Sequence, residues 1–131
     1  MSVIKVYLIE DSPIIRANLI AALEEMAPVQ VVGWAEQAKD AIAWLQQGGD
    51  CQLVIVDIFL RQGSGLEVLQ ALTTQATPPR ALVLTNYATP SVRQQCQALG
   101  AVQVLDKSSE LDTLFDYCQQ LAAELTESGR A

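Results

Sequence analysis

The chain contains no histidine. A histidine-based catalytic triad, a zinc–histidine centre and a phosphohistidine carried by the chain itself are therefore excluded. Aromatic residues are scarce at 5%, while half of all residues are hydrophobic, so any core has to be built from Val, Leu, Ile and Ala. Cysteine is limited to Cys51, Cys96 and Cys118, odd in number and far apart. That leaves neither a CxxC metal pair nor a disulfide framework, and the three read as ordinary buried or half-buried thiols. Basic residues are outnumbered, 8 against 15 acids, for a net charge of −7. Such a balance argues against direct binding of nucleic acid or of an anionic membrane. No stretch approaches the ~20 apolar residues of a membrane span. Met1-Ser2-Val3-Ile4-Lys5 runs straight into a strand without the layout of a signal peptide. The expected location is the cytoplasm.

What is present is an alternation of strand and helix, five times over. Ile4 to Ile9 reads as the first strand, and Ser12-Pro13 opens a helix striped by Ile15, Leu19, Leu23 and Met26. Val29 to Trp34 is the second strand. A helix marked by Ala38, Ala41, Ile42 and Leu45 follows and stops at Gly48-Gly49. Leu53 to Val56 is apolar without alternation, as expected of a strand covered on both faces. Gly63-Ser64-Gly65 breaks the chain before a helix with Leu66, Leu69 and Leu72. Ala81 to Leu84 is the fourth strand, followed by a helix with Val92, Cys96 and Leu99. Val102 to Leu105 is the fifth, and the last helix carries Leu111, Leu114, Phe115, Cys118, Leu121 and Leu125. This pattern predicts one α/β domain over residues 1–131, with a core from about 3 to 125 and a frayed tail over 126–131. The architecture is a doubly wound parallel sheet with helices on both faces.

Ligands of such sheets bind beyond the carboxyl ends of the strands. Glu10 and Asp11, Asp57, Thr85 and Lys107 all fall at such ends. Three carboxylates crowded together repel unless a cation joins them, and magnesium prefers carboxylates, water and phosphate oxygens. Asp11 and Asp57 are the expected direct ligands of Mg²⁺. Glu10 acts nearby or through water, and the backbone carbonyl of Phe59 completes the set. A metal-bound aspartate is also a nucleophile able to form an acyl phosphate. Asp57 is thus the expected acceptor, Lys107 the partner of the phosphoryl oxygens and Thr85 a hydroxyl donor to them.

The chain resembles the receiver domains of bacterial two-component response regulators, from Val3 to about Leu125. Glu10-Asp11 match the family's acid pair, Asp57 its phosphoacceptor, Thr85 its switch hydroxyl and Lys107 its lysine. Leu60-Arg61-Gln62-Gly63-Ser64-Gly65-Leu66-Glu67-Val68-Leu69 resembles the loop and helix after the phosphorylation site. The resemblance implies a flavodoxin-like (βα)5 fold with strand order 2-1-3-4-5. It also implies phosphoryl transfer from a sensor histidine kinase or histidine phosphotransfer protein. The signal would leave through the face made by the fourth helix, fifth strand and last helix, where Arg93, Gln94 and Gln97 are candidates for a partner surface. Pairing of two copies through the last two helices and their strand is a further implied possibility. The chain reads as a stand-alone, non-enzymatic receiver that acts through protein partners rather than on DNA.

It departs from the family at several positions. Val104 stands where an aromatic usually precedes the lysine, and Tyr87, two residues after Thr85, is placed to take over part of its coupling. Asn86 follows Thr85 where a smaller residue is usual, and Ser108 replaces a common proline. Arg61 lies in a loop that lacks another. Phe59 and Tyr87 are bulky enough to screen an acyl phosphate from water. The alternatives are a pseudo-receiver that binds partners without phosphorylation, an aspartyl-phosphate hydrolase and a flavin module. The hydrolase lacks its second acid, since Ile58 and Phe59 follow Asp57, and the acidic first loop would repel a flavin phosphate.

Overall fold

The computed structural model describes residues 3–128. Five strands, β1 (Ile4–Ile9), β2 (Val29–Ala35), β3 (Leu53–Val56), β4 (Arg80–Thr85) and β5 (Gln103–Asp106), alternate with five helices. These are α1 (Pro13–Met26), α2 (Ala38–Gln46), α3 (Gly65–Leu72), α4 (Pro90–Ala98) and α5 (Leu111–Ser128). All strand pairs are parallel, in the order β2-β1-β3-β4-β5. Expectation and structure agree on every element. β5 begins and ends one residue later than the apolar run suggested, and α5 continues to Ser128, past the last apolar period at Leu125. Residues 129–131, the end of the expected frayed tail, lie outside the described residues.

The sheet is buried on both faces, which is why β3 shows no alternation: Leu53 and Ile55 face one way, Val54 and Val56 the other. One core joins Leu53, Ile55, Leu82 and Leu84 to Leu19 and Leu23 of α1 and to Leu114, Cys118 and Leu121 of α5. The second joins Val54, Val56 and Val83 to Ala41 and Leu45 of α2, Leu69 and Leu72 of α3, and Cys96 of α4. Each fully buried Leu, Ile or Val contributes about 1.5–3 kcal/mol. In α1 only Leu19 and Leu23 of the expected stripe are buried. Ile15 and Met26 are 37% and 49% exposed, and Ile20 and Ala22 pack partly buried against the same core instead. Gly48 and Gly100, at φ +89° and +93°, turn the chain out of α2 and α4 in the left-handed conformation that disfavours other residues. No helix among the described residues is long and apolar enough to cross a membrane.

Cys96 and Cys118 are buried and Cys51 partly so, and none is bonded to another, as expected of ordinary thiols. Burial pushes the Cys118 thiol up to about 12. Burial, followed by the charge of Asp50, lifts Cys51 to about 11. The Tyr7 phenol, stacked on Trp44 with ring centroids 4.0 Å apart, rises to about 12 through burial and then Asp40. All these groups hold their protons more tightly when folded. Stability is therefore complete below the ordinary thiol value of 9.0 and is lost as pH climbs through about 11 to 12. No side chain of histidine type titrates near neutrality. The urea midpoint is expected to be flat from pH 6 to 8 and to fall steeply above pH 9; an unchanged midpoint at pH 11 would contradict this account.

Candidate functional site

The parallel order brings the ends of β1, β3, β4 and β5 to one edge. Glu10 follows β1 and is 2% exposed, its N–H donating to the Ala35 carbonyl at 3.0 Å. Asp57 follows β3 and is 8% exposed, its N–H donating to the Ile9 carbonyl at 3.1 Å. Lys107 follows β5, its N–H donating to the Thr85 carbonyl at 2.9 Å. The backbone thus fixes the roots of all three side chains by continuing the sheet's own hydrogen bonding.

The side chains meet. Lys107 Nζ donates to Glu10 Oε1 at 2.5 Å and to Asp57 Oδ2 at 2.8 Å. The other oxygen of each bridged carboxylate is also held. Glu10 Oε2 accepts from the Ser12 N–H at 3.0 Å and Asp57 Oδ1 from the Phe59 N–H at 3.2 Å. Asp11 Oδ2 accepts from the Arg61 N–H at 2.8 Å. Burial pulls the Lys107 ammonium toward neutrality, but its bonds to Asp57 and Glu10 outweigh that and raise it above the ordinary lysine value. One oxygen from each of Glu10, Asp11 and Asp57 lies within 4.8 Å of the others. An all-oxygen set this close suits a hard divalent cation such as magnesium.

Thr85 is wholly buried and its Oγ1 accepts from the Tyr87 N–H at 3.3 Å. Asn86 is exposed and lines a groove with Lys107, Ser108, Leu111 and residues of α1. Phe59 and Tyr87, 49% and 62% exposed, meet edge to face with ring centroids 5.1 Å apart. Val104 is buried and directs its carbonyl, not its side chain, into a polar contact with Arg93. Of the three residues named for a partner surface, Gln94 and Gln97 are exposed and Arg93 is half-buried, its side chain 38% exposed while it bonds to Val104 and Glu110. A helical wheel places Arg93 beside Gln94; its long side chain reaches from there across β5 to Glu110 and stays on the face made by α4, β5 and α5.

Three features lay beyond the sequence reading. Ser64 and Glu67 form a reciprocal capping box that starts α3, a pattern legible as S-x-x-E. Gly65 admits no side chain: a Cβ there would collide with the Asp57 carbonyl oxygen. The third, the Arg61–Asp11 bond, joins residues 50 positions apart and has no sequence signal. A proline at Arg61 could not make it, having no N–H.

The sequence model of the response regulator receiver domain matches residues 6–119. A protein-glutamate methylesterase/protein-glutamine glutaminase of Syntrophus aciditrophicus is 30% identical over 108 residues, covering 81% of this chain and 31% of that protein. The response regulator UvrY of Escherichia coli is 24% identical over 106 residues, covering 81% of this chain and 48% of UvrY. The chain therefore spans from 31% to 48% of the length of these relatives. Among solved structures, the receiver domain of NarL from Mycobacterium tuberculosis superposes with a TM-score of 0.82 at 22% identity, over 94% of this chain and 98% of that one. The response regulator domain of Thermotoga maritima CheB gives 0.74 at 23%, over 98% and 95%. The strand order and five-helix arrangement are those of such flavodoxin-like receivers.

Proposed function

The chain belongs to the response regulator receiver domain family of bacterial two-component signalling, and on that premise we propose that Asp57 is its phosphoacceptor. The observation that carries this reading is the bridge from Lys107 to both Asp57 and Glu10, with Asp11 alongside. In the proposed reaction an Asp57 carboxylate oxygen forms a bond to phosphorus. The bond from phosphorus to the donor breaks, and its electron pair leaves with the donor, an imidazole nitrogen of a histidine kinase or phosphotransfer protein. Glu10, Asp11, Asp57 and the Phe59 carbonyl would hold Mg²⁺. When bound, that ion supplies neutralisation of charge on the phosphoryl oxygens. Lys107, already at Asp57, has only to follow the new oxygens to pair with them, and Thr85 and Asn86 lie on the strand end beside them.

The reading favours a signalling acceptor over an enzyme, and the whole set of acids, hydroxyl and ammonium supports phosphorylation over a phosphorylation-independent binding module. The downstream partner is proposed to dock on α4, β5 and α5, where Gln94 and Gln97 are exposed. The test is the intact mass after incubation with Mg²⁺ and acetyl phosphate. A gain of one phosphate supports the reading; no gain with acetyl phosphate or with candidate kinases refutes it.

The edge-to-face contact of Phe59 with Tyr87 supports a second expectation, that this pair screens the acyl phosphate from water. Phe59→Asn and Tyr87→Ala are each expected to hasten its hydrolysis about tenfold, the equivalent of ~1.4 kcal/mol of barrier. The decay of the phosphorylated mass reads this directly, and unchanged rates would dismiss the shield.

A further inference from the structure

The helix α4 is weakly rooted. Cys96 is its one buried residue, and the rest of its inner face is only partly covered. A single guanidinium makes up the difference. Arg93 Nε donates to the Ala88 carbonyl at 3.0 Å, Nη1 to the Val104 carbonyl at 2.5 Å and Nη2 to Glu110 Oε1 at 3.2 Å. Glu110 Oε1 also accepts from the Asp106 N–H at 2.9 Å, just before α5 begins. One side chain thus ties the β4–α4 loop, the end of β5 and the entry to α5.

The same loop reaches the site. The Thr85 hydroxyl accepts the N–H of Tyr87, the residue before Ala88, whose carbonyl Arg93 holds. A continuous path of hydrogen bonds and short backbone therefore runs from Thr85 through Tyr87 and Ala88 to Arg93, and on to Val104 and Glu110. We propose that Arg93 is a positioning residue, a latch that couples the Thr85 loop to the start of α5 and takes the part that a large side chain at Val104 could have played. The inference rests on Asp57 being the phosphoacceptor. A phosphoryl group on Asp57 draws the Thr85 hydroxyl toward it and away from the Tyr87 N–H. The Ala88 carbonyl then shifts, and Arg93 cannot keep three acceptors at once, because its donors are fixed in one planar fork. Release of the latch loosens α4 and the first turn of α5 together, which gives the two packings a switch requires.

Hydrogen–deuterium exchange of the full chain, with and without acetyl phosphate and Mg²⁺, tests this, with intact mass recorded on each sample. In the wild type, phosphorylation is expected to speed exchange severalfold in α4 and at residues 111–114. Arg93→Ala should take up phosphate as the wild type does, show the faster exchange before phosphorylation, and change no further after it. Arg93→Lys keeps the charge beside Glu110 but lacks the fork, so it should fall between the two, a graded result that a simple packing role would not give. If Arg93→Ala or Arg93→Lys accepts phosphate and its α4 responds as in the wild type, the latch is wrong. If the wild type takes up no phosphate, the acceptor reading fails and the relay falls with it, and the mass alone tells these two failures apart.

Discussion

Asp57→Asn is expected to take up no phosphate under conditions in which the wild type gains one. The substitution is nearly isosteric, and the amide oxygen can still accept the Phe59 N–H, so the loop after β3 keeps its course. What is lost is chemical. A neutral amide is a poor nucleophile toward phosphorus, and the cluster that can hold a metal falls from three carboxylates to two. With the single amide oxygen kept on the Phe59 N–H, the NH2 group stands where Oδ2 accepted from Lys107, so that bond is lost while the bond of Lys107 to Glu10 remains. The variant should therefore stay folded, and intact mass beside a far-ultraviolet spectrum separates lost chemistry from lost structure. Phosphate uptake by a folded Asp57→Asn protein would move the acceptor elsewhere, with Asp11 and Glu10 the next to test.

Lys107→Ala should produce the second large effect, on stability and on the chemistry together. The ammonium is 11% exposed, and the Glu10 and Asp57 side chains it bridges are 3% and 10% exposed. Removing one member of a buried ion pair typically costs about 3–5 kcal/mol. Here about 2–4 kcal/mol is expected, because the pocket opens to water at the sheet edge. The loss arises from two carboxylates left facing each other with no cation between them. A divalent ion replaces that missing charge, so Mg²⁺ should raise the melting temperature of the variant more than that of the wild type, in which the ammonium competes for the same oxygens. Phosphate uptake should slow about a hundredfold, the usual consequence of deleting one donor to a developing oxyanion. Equal melting temperatures for both proteins in chelator would show that the bridge contributes nothing to the fold. Equal Mg²⁺ increments would show that Lys107 and the metal do not share the pocket.

Much of this protein was legible residue by residue. The run Leu53-Val54-Ile55-Val56, apolar at every position, identified a strand covered on both faces, and it is the central strand of the sheet. Ser12-Pro13 announced the start of α1, and the Ser12 hydroxyl does accept the Ile15 N–H. In both cases the determinant is local, a hydrogen bond three residues away or a side chain's preference for apolar surroundings. Placing Glu10, Asp11, Asp57, Thr85 and Lys107 at strand ends needed only the parallel topology that five βα units impose.

Tertiary structure alone decided how those side chains engage. Nothing local states that one ammonium bridges Glu10 and Asp57, that the Arg61 N–H holds Asp11, or that Phe59 and Tyr87 meet edge to face. These contacts join residues far apart in the chain, and they depend on where loops from different strands converge. The same holds for Arg93, which sequence placed on the surface of α4 and the fold laid, still partly exposed, across Val104 to Glu110. Periodicity tells which face of a helix a residue occupies. It does not tell where a long, flexible side chain ends, because that is set by the carbonyls and carboxylates that neighbouring elements bring within its reach.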